Sequence, residues 1–460
     1  MNLSIDMLIV VIFFIATFII GLVERKKISL DDYWVNSRKT NKFVLIATVT
    51  STFIGVGALI SNAGIAFSGG GLMTLLLMSS FLFYFIIFAK FFAPKIKEFG
   101  DKHKAYTLPD FLEFRYSKKV RIVGLLLNLL TYSFWLALQI LGMGIFVSVL
   151  GGINTVFATI AGGIIVVLYT SIGGLRADIR TDVFQFLIML SIVFVFLPLV
   201  IIKSGGISVI SNLPRTFLIG KEFAPFYIFA LGFLFLGASN LVSSDLWQRA
   251  YASDSKKNVV WVMKVSSIIV FLFLITGTLL GVYGKIVVPD TNANNVVPEL
   301  MKHYFPPVLF GVIMAGFFAA VMSSADTSLL IISMTLIHDL YQKTLGHNLT
   351  HERMLKISRW VTFSVGLLAL LIALIIFSVV SLAINAVSFY VAFLPAIIFG
   401  FYWKKATANA AFWSIILGTA TIIAFLFISP VEAFIPGIVV SFISFLIVNY
   451  FENKKIKICF

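Results

Sequence analysis

The feature that most restricts the fold is a series of apolar runs, each near the length needed to cross a bilayer. A spanning helix takes about 20 consecutive apolar residues. Runs of that order fall at 4–23, 42–65, 72–97, 121–149, 152–171, 182–202, 224–244, 258–284, 306–337, 354–377, 379–402, 409–428 and 431–451. Within a bilayer each backbone N–H and C=O must be satisfied inside the protein, which makes such runs helices. Composition agrees, with 60% hydrophobic and only 12% charged residues, against about 25% charged in an average soluble domain. The expectation is an all-α integral membrane protein with thirteen transmembrane helices. The first run lacks a basic leader and a small-residue cleavage site, so it reads as an uncleaved helix, not a signal peptide.

Charge placement sets the orientation. With the N-terminus outside, most of the 35 Lys and Arg fall on cytoplasmic segments, among them Arg25 to Lys42, Lys90 to Arg121, Arg249, Lys256, Lys257 and Lys343 to Arg359. The outer segments keep Lys203, Arg215, Lys221, Lys285 and Lys302. This is the positive-inside pattern, and it places the C-terminus inside. The net charge of +15 then faces the anionic inner leaflet, with no nucleic-acid partner implied. Cys459 is the lone cysteine, so no disulfide within the chain is expected. The five histidines fall in loops or at span ends without metal-ligand spacing, and no nucleotide-binding loop occurs. Neither an enzyme nor an ATP-driven pump is expected.

Against this apolar background the ninth run stands out. Its stretch Gly316 to Tyr341 carries Ser323, Ser324, Asp326, Thr327 and Ser328 in the middle. A charge at the bilayer centre costs about 2.5–3.5 kcal/mol on insertion scales, so an acid there points to function. Ala320, Ser323 and Ser324 stand at i, i+3 and i+4, on one helical face. Two hydroxyls and a backbone carbonyl are hard oxygen ligands suited to a small alkali cation.

Two further runs are interrupted. The second contains Thr48, Thr50, Ser51, Thr52, Gly55, Gly57 and Ser61; the seventh contains Gly237, Ser239, Asn240, Ser243 and Ser244. Thr and Gly in a membrane helix serve close packing or mark a helix broken near the midplane, whose freed carbonyls hold an ion. The two runs are five helices apart. Because five is odd, the second set enters from the opposite side, as in inverted-topology repeats.

Elsewhere the readings are plainer. Lys26 to Lys42 is an interfacial stretch with Tyr33 and Trp34 at headgroup depth, or an ordinary loop. Thr107 and Pro109 start a short cytoplasmic helix. Gly173 and Gly174 permit a tight turn. Asp182, at the start of the sixth run, is a helix cap or a carboxylate reaching the ninth run as a second cation or proton site. Asp178 reads as a loop charge, and Asp290 and Glu299 as solvated residues of an outer loop.

The segments LPDFLEFRYSKKV, YTSIGGLRADIRTDVFQ, SDLWQRAYASDSKK and AAVMSSADTSLL with DLYQK occur in the order of the hallmark segments of the sodium:solute symporter family. The chain resembles that family over roughly residues 1–450. The resemblance implies a leucine-transporter-like core of 5+5 helices in inverted repeat and sodium-coupled transport by alternating access in the cell membrane. It divides the chain into an accessory first helix (1–23), a cytoplasmic interfacial segment (24–41), repeat one (42–203), an outer loop (204–223), repeat two (224–402) and accessory helices twelve and thirteen with a tail (403–460). It implies a Na+ site from the side chains of Ser323 and Ser324, the carbonyl of Ala320, and second-run carbonyls near Leu45 and Thr48. Asp182, Asp326 and Thr327 occupy the positions of a second cation in some members; an acid at Asp326 makes proton coupling conceivable.

The second run lacks the Glu-Gln pair of sugar-transporting members and the aspartate of proline-type members. The implied substrate is a small polar organic solute of amino-acid, carboxylate or amine type. Its contacts are expected from Thr48, Ser51, Thr52, Ser239, Asn240, Ser243 and an aromatic gate at Phe389 or Tyr390. A proton-coupled symporter of the same fold is the alternative. A solute-sensing module without transport is another, disfavoured because no signalling domain follows Phe460; a passive channel fits an occluding site poorly.

Overall fold

A chain this apolar can satisfy its backbone only by closing hydrogen bonds within each segment, and the architecture follows from that. A computed structural model describes residues 5–23, 34–170, 175–346 and 351–458. Among them the secondary structure is helical, apart from one isolated bridge between Thr40 and Ser253. Eight helices are long and apolar enough to cross a bilayer. Phe226–Leu241 and Ser244–Ala252 make a ninth if the pair, bent by 41°, is one span. Shorter apolar helices of 10–17 residues lie at Ile5–Ile20, Lys42–Phe53, Thr155–Val167 and Trp360–Ile375, on the other expected runs.

Burial is inverted relative to a soluble protein. Phe157, Phe194, Ile375 and Phe427 project from the perimeter, Phe427 with 88% of its surface exposed. In water such a belt would be a large apolar patch; in lipid it is the matching exterior. The ninth-run helix, Leu309–Met334, is the reverse: from Ile313 to Met334 every residue is buried. Polar groups on it must therefore find protein partners.

Helix ends are set locally. Asn41 accepts from the N–H groups of Phe43 and Val44 at the start of Lys42–Phe53. Thr107 caps Leu108–Arg115 in a capping box with Asp110, as its sequence implies. Burial pushes the Asp110 carboxyl up, but His338 and Lys343 outweigh it and hold it below the usual carboxylate range. His338 Nε2 lies 3.2 Å from Asp110 Oδ2, and Lys343 Nζ lies 2.5 Å from Oδ1. Asp110, His338 and Asp339 form a trio of metal-ligand types that spacing did not reveal, and Lys343 makes it an ion-paired anchor of the short helix.

Close helix contact uses small residues. Gly277 and Gly281 lie one turn apart on Lys256–Val287, where an added Cβ would strike the carbonyls of Ala58 and Ala63. Asn62 secures the same crossing, donating to the Leu274 carbonyl at 2.5 Å and accepting from Thr278 Oγ1 at 3.1 Å. The part of the second run beyond its break is thus clamped to the eighth.

Trp34 is buried inside the protein, 1% exposed, and its carbonyl accepts from Gln248 Nε2, because the segment before the second run packs against the end of the seventh. Tyr33, Gly173 and Gly174 lie outside the described residues.

Candidate functional site

The break in the second run can be followed bond by bond. Lys42–Phe53 ends at Ile54, whose φ of −90° and ψ of 84° leave the helix. Ile54 N–H still reaches the Thr50 carbonyl at 3.1 Å, but Gly55 N–H turns to Phe53 O at 3.2 Å. Val56 N–H leaves the run and donates to Gln139 Oε1 at 3.0 Å. In an unbroken helix those last two donors would serve the carbonyls of Ser51 and Thr52. Both carbonyls are therefore free for other partners. Ser323 Oγ donates to Ser51 O at 2.6 Å, and Ser324 Oγ to Thr52 O at 2.8 Å. Gly55 makes the approach possible, since a Cβ there would collide with Ser324 Oγ and Gln139 Oε1.

The structure thus joins the Ser323–Ser324 face to the second-run break, with Ala320 one turn earlier on the same buried helix. The register differs from expectation. Leu45 and Thr48 lie inside the uninterrupted part of Lys42–Phe53, and the freed carbonyls belong to Ser51 and Thr52. The Thr48 side chain faces elsewhere, its hydroxyl donating to Asp182 Oδ2.

One helical turn along the ninth run the chemistry becomes ionic. Arg249, on Ser244–Ala252, is fully buried. Its Nη2 lies 2.8 Å from Asp178 Oδ2, 2.8 Å from Thr327 Oγ1, 3.0 Å from Thr52 Oγ1 and 3.5 Å from Asp182 Oδ2. Its Nε reaches Thr48 Oγ1 at 3.1 Å, and its Nη1 reaches Gln248 Oε1 at 3.0 Å. Arg249 and Asp178 are accordingly not surface charges, as their positions near span ends had suggested. Asp182 is part of this cluster, and its contacts go well beyond capping a helix. Two carboxylates share one guanidinium, and Oδ1 of both Asp178 and Asp182 is buried without a hydrogen-bond partner. Asp326 is buried close enough to act electrostatically on Asp182.

Between the two broken runs lies a cavity of about 150 Å³. It is bounded by Gly55 and Gly57 on one side and by Ser239, Asn240 and Ser243 on the other, with Thr52, Ser324, Thr327 and Tyr390 also lining it. Of the expected substrate contacts, Thr48 and Ser51 are not on this wall. Ser51 Oγ turns back to the Thr48 carbonyl at 3.3 Å, and Phe389 packs on Phe134 with ring centroids 5.3 Å apart.

Four lining or supporting residues escaped notice in the sequence: Tyr132, Trp135, Gln139 and Asp245. Three of them, with Asn128, repeat at i, i+4, i+7 and i+11 along Lys118–Gly151, one face of a helix. That spacing of large polar groups in an apolar run was the available signal. Asn128 uses it too, accepting from Ser244 Oγ at 2.7 Å and donating to Thr335 Oγ1 at 2.9 Å.

The chain is 26% identical to the sodium/pantothenate symporter of Haemophilus influenzae, covering 99% of this chain and 98% of that protein. It is also 26% identical to the sodium/proline symporter of Escherichia coli, covering 90% and 86%. Its fold matches that of a Na+-coupled sialic acid symporter solved in a substrate-bound outward-open state, with a TM-score of 0.80, 21% identity, and coverage of 97% and 98%. A nucleobase-cation-symport-1 family transporter in a closed conformation aligns with a TM-score of 0.57 and 13% identity over 93% of this chain and 96% of that one. The family model for sodium:solute symporters matches residues 33–418, and this multi-pass membrane chain belongs to the sodium:solute symporter family.

Proposed function

We propose that the chain carries a small polar organic solute inward with Na+ by alternating access, through thirteen spans with the N-terminus outside and the C-terminus inside. Repeats 42–203 and 224–402 would meet at the cavity. The observation that carries this is the match between two freed carbonyls and two hydroxyls. Ser51 O and Thr52 O face Ser323 Oγ and Ser324 Oγ at 2.6 and 2.8 Å. Those four oxygens, with the Ala320 carbonyl, supply the hard, uncharged ligands an alkali cation takes. The hydroxyls need only turn their hydrogens away to accept the ion, and the ion would then bridge the break and the ninth run. A cation is favoured here because every group facing the site is an oxygen acceptor and none of them carries a positive charge.

The solute would sit beside the ion, between Thr52, Ser239, Asn240, Ser243 and Tyr390. Pantothenate and proline, the solutes of the named relatives, fall within the amino-acid, carboxylate or amine class. The test is uptake of a solute panel into proteoliposomes under a sodium or a potassium gradient. Sodium-driven accumulation that Ser323→Ala/Ser324→Ala removes supports the assignment; uptake indifferent to sodium would refute it.

A second reading has its own observation. One guanidinium against Asp178 and Asp182 leaves a carboxylate charge in excess, and both Oδ1 atoms lack partners. A proton or second cation held there, near Asp326 and Thr327, would couple transport to pH or to a further ion.

A further inference from the structure

We propose that the solute carries a cationic nitrogen, an amine or quaternary ammonium, and that Asp245 is the residue that selects for it. The proposal rests on the symport reading and narrows its substrate class. Asp245 lines the cavity at the first turn of Ser244–Ala252. Half-helix N-termini at such breaks usually greet an anionic group of the solute. Here the chain's own carboxylate occupies that end. Asp245 N–H donates to Tyr132 Oη at 2.8 Å, while Tyr132 Oη donates to Asp245 Oδ1 at 2.7 Å and Ser243 Oγ donates to the same oxygen. Both hydrogen bonds to the carboxylate fall on Oδ1, leaving Oδ2 for an occupant. At the other break the free amide, Val56 N–H, is already taken by Gln139 Oε1.

No cationic side chain is placed to pair with a carboxylate. Among the described lining residues there is no Lys, Arg or His, and Arg249 is engaged behind the break by its acids and hydroxyls. The walls favour positive charge. Tyr132 and Tyr390 meet edge to face with centroids 6.0 Å apart at 87°, and Phe53 and Phe81 do so at 6.1 Å and 75°. The Trp135 ring lies against Gly57, 3.1 Å from where a Cβ would stand. Aromatic faces around one carboxylate form the environment that recognises ammonium groups.

The test is sodium-dependent thermal stabilisation of the purified protein by three sets of probes. Choline and phenethylamine are the cations; dimethylbutanol, the uncharged isostere of choline, is the neutral control; pantothenate and phenylacetate are the anions. We expect a cation to bind at least about tenfold more tightly than its uncharged isostere. Asp245→Asn should bring that ratio close to one, and Asp245→Glu should retain it, with sodium still stabilising both variants in the absence of solute. Preferential binding of a carboxylate, a ratio unmoved by Asp245→Asn, or no response to either amine in a protein that sodium stabilises would each overturn the proposal while leaving symport intact. A protein that sodium does not stabilise at all would overturn sodium symport, and the proposal with it.

Discussion

Two neighbouring turns of the ninth-run helix set their oxygens in opposite electrostatic surroundings. At Ser323 and Ser324 the partners are neutral, two backbone carbonyls released by the break in the second run. At Thr327, one turn on, the hydroxyl meets Arg249, Asp178 and Thr52, and Asp182 shares the same guanidinium. The first site offers oxygens with no resident charge, the setting that the proposed exchangeable Na+ requires. The second already contains a cation, tethered covalently to Ser244–Ala252. A guanidinium with several fixed acceptors gives rigidity and orientation, which an exchangeable ion does not. If the neutral turn is the proposed ion-coupling site, what separates it from the structural one is not the presence of oxygen ligands, since both turns have them, but whether the chain supplies its own positive charge.

The comparison breaks most severely if Arg249 is removed. Arg249→Gln leaves Asp178 and Asp182 buried against one another, and losing one partner of a buried ion pair costs about 3–5 kcal/mol. We expect the variant to be recovered poorly and to unfold far earlier than wild type in a thermal melt. Adding Asp178→Asn and Asp182→Asn should restore much of the stability. An Arg249→Gln protein as stable as wild type would show that the guanidinium is not the counter-ion.

The neutral turn should respond differently. Ser323→Ala/Ser324→Ala strands two buried carbonyls, at about 1–3 kcal/mol for each unsatisfied group, yet brings no charge out of balance. The folded protein should survive while sodium stimulation of uptake falls to background. Retained stimulation would place the ion elsewhere.

How much of this was legible beforehand depends on the range of the interaction. The broken character of the second and seventh runs shows in their polar residues, because Gly, Ser and Asn inside an apolar run have few reasons to be there. The register of the break does not show. It is decided by Val56 N–H finding Gln139, 83 residues away, and no local pattern encodes which amide defects. Arg249 was hidden for a similar reason. Its stretch WQRAY resembles a cytoplasmic span end, and only the packing of Asp178 and Thr52, 71 and 197 residues distant, turns it inward. The Ser323–Ser324 face was legible because its residues are three and four apart, a local relation that helical geometry fixes.

Gln139 gives a smaller effect that sharpens the same contrast. Gln139→Leu removes the acceptor of Val56 N–H and should cost about 1–3 kcal/mol for the unsatisfied donor. Val56 N–H could recover its bond by returning to Thr52 O, the oxygen Ser324 now uses. We therefore expect a raised sodium requirement for uptake with a near-normal maximal rate. An unchanged sodium requirement would mean the break persists without Gln139.

The smallest effect concerns the charge in excess at the ionic turn. Asp182→Asn keeps a side chain able to accept from the Thr48 hydroxyl, now donating to Asp182 Oδ2, and leaves Asp178 2.8 Å from Arg249. The substitution therefore balances one acid against one guanidinium, and folding should be little disturbed. If the unbalanced carboxylate takes up a proton during transport, the variant should lose part of the pH dependence of uptake while keeping its response to sodium. A pH profile superimposable on wild type would assign Asp182 to holding Arg249 alone, and coupling would then belong entirely to the neutral turn.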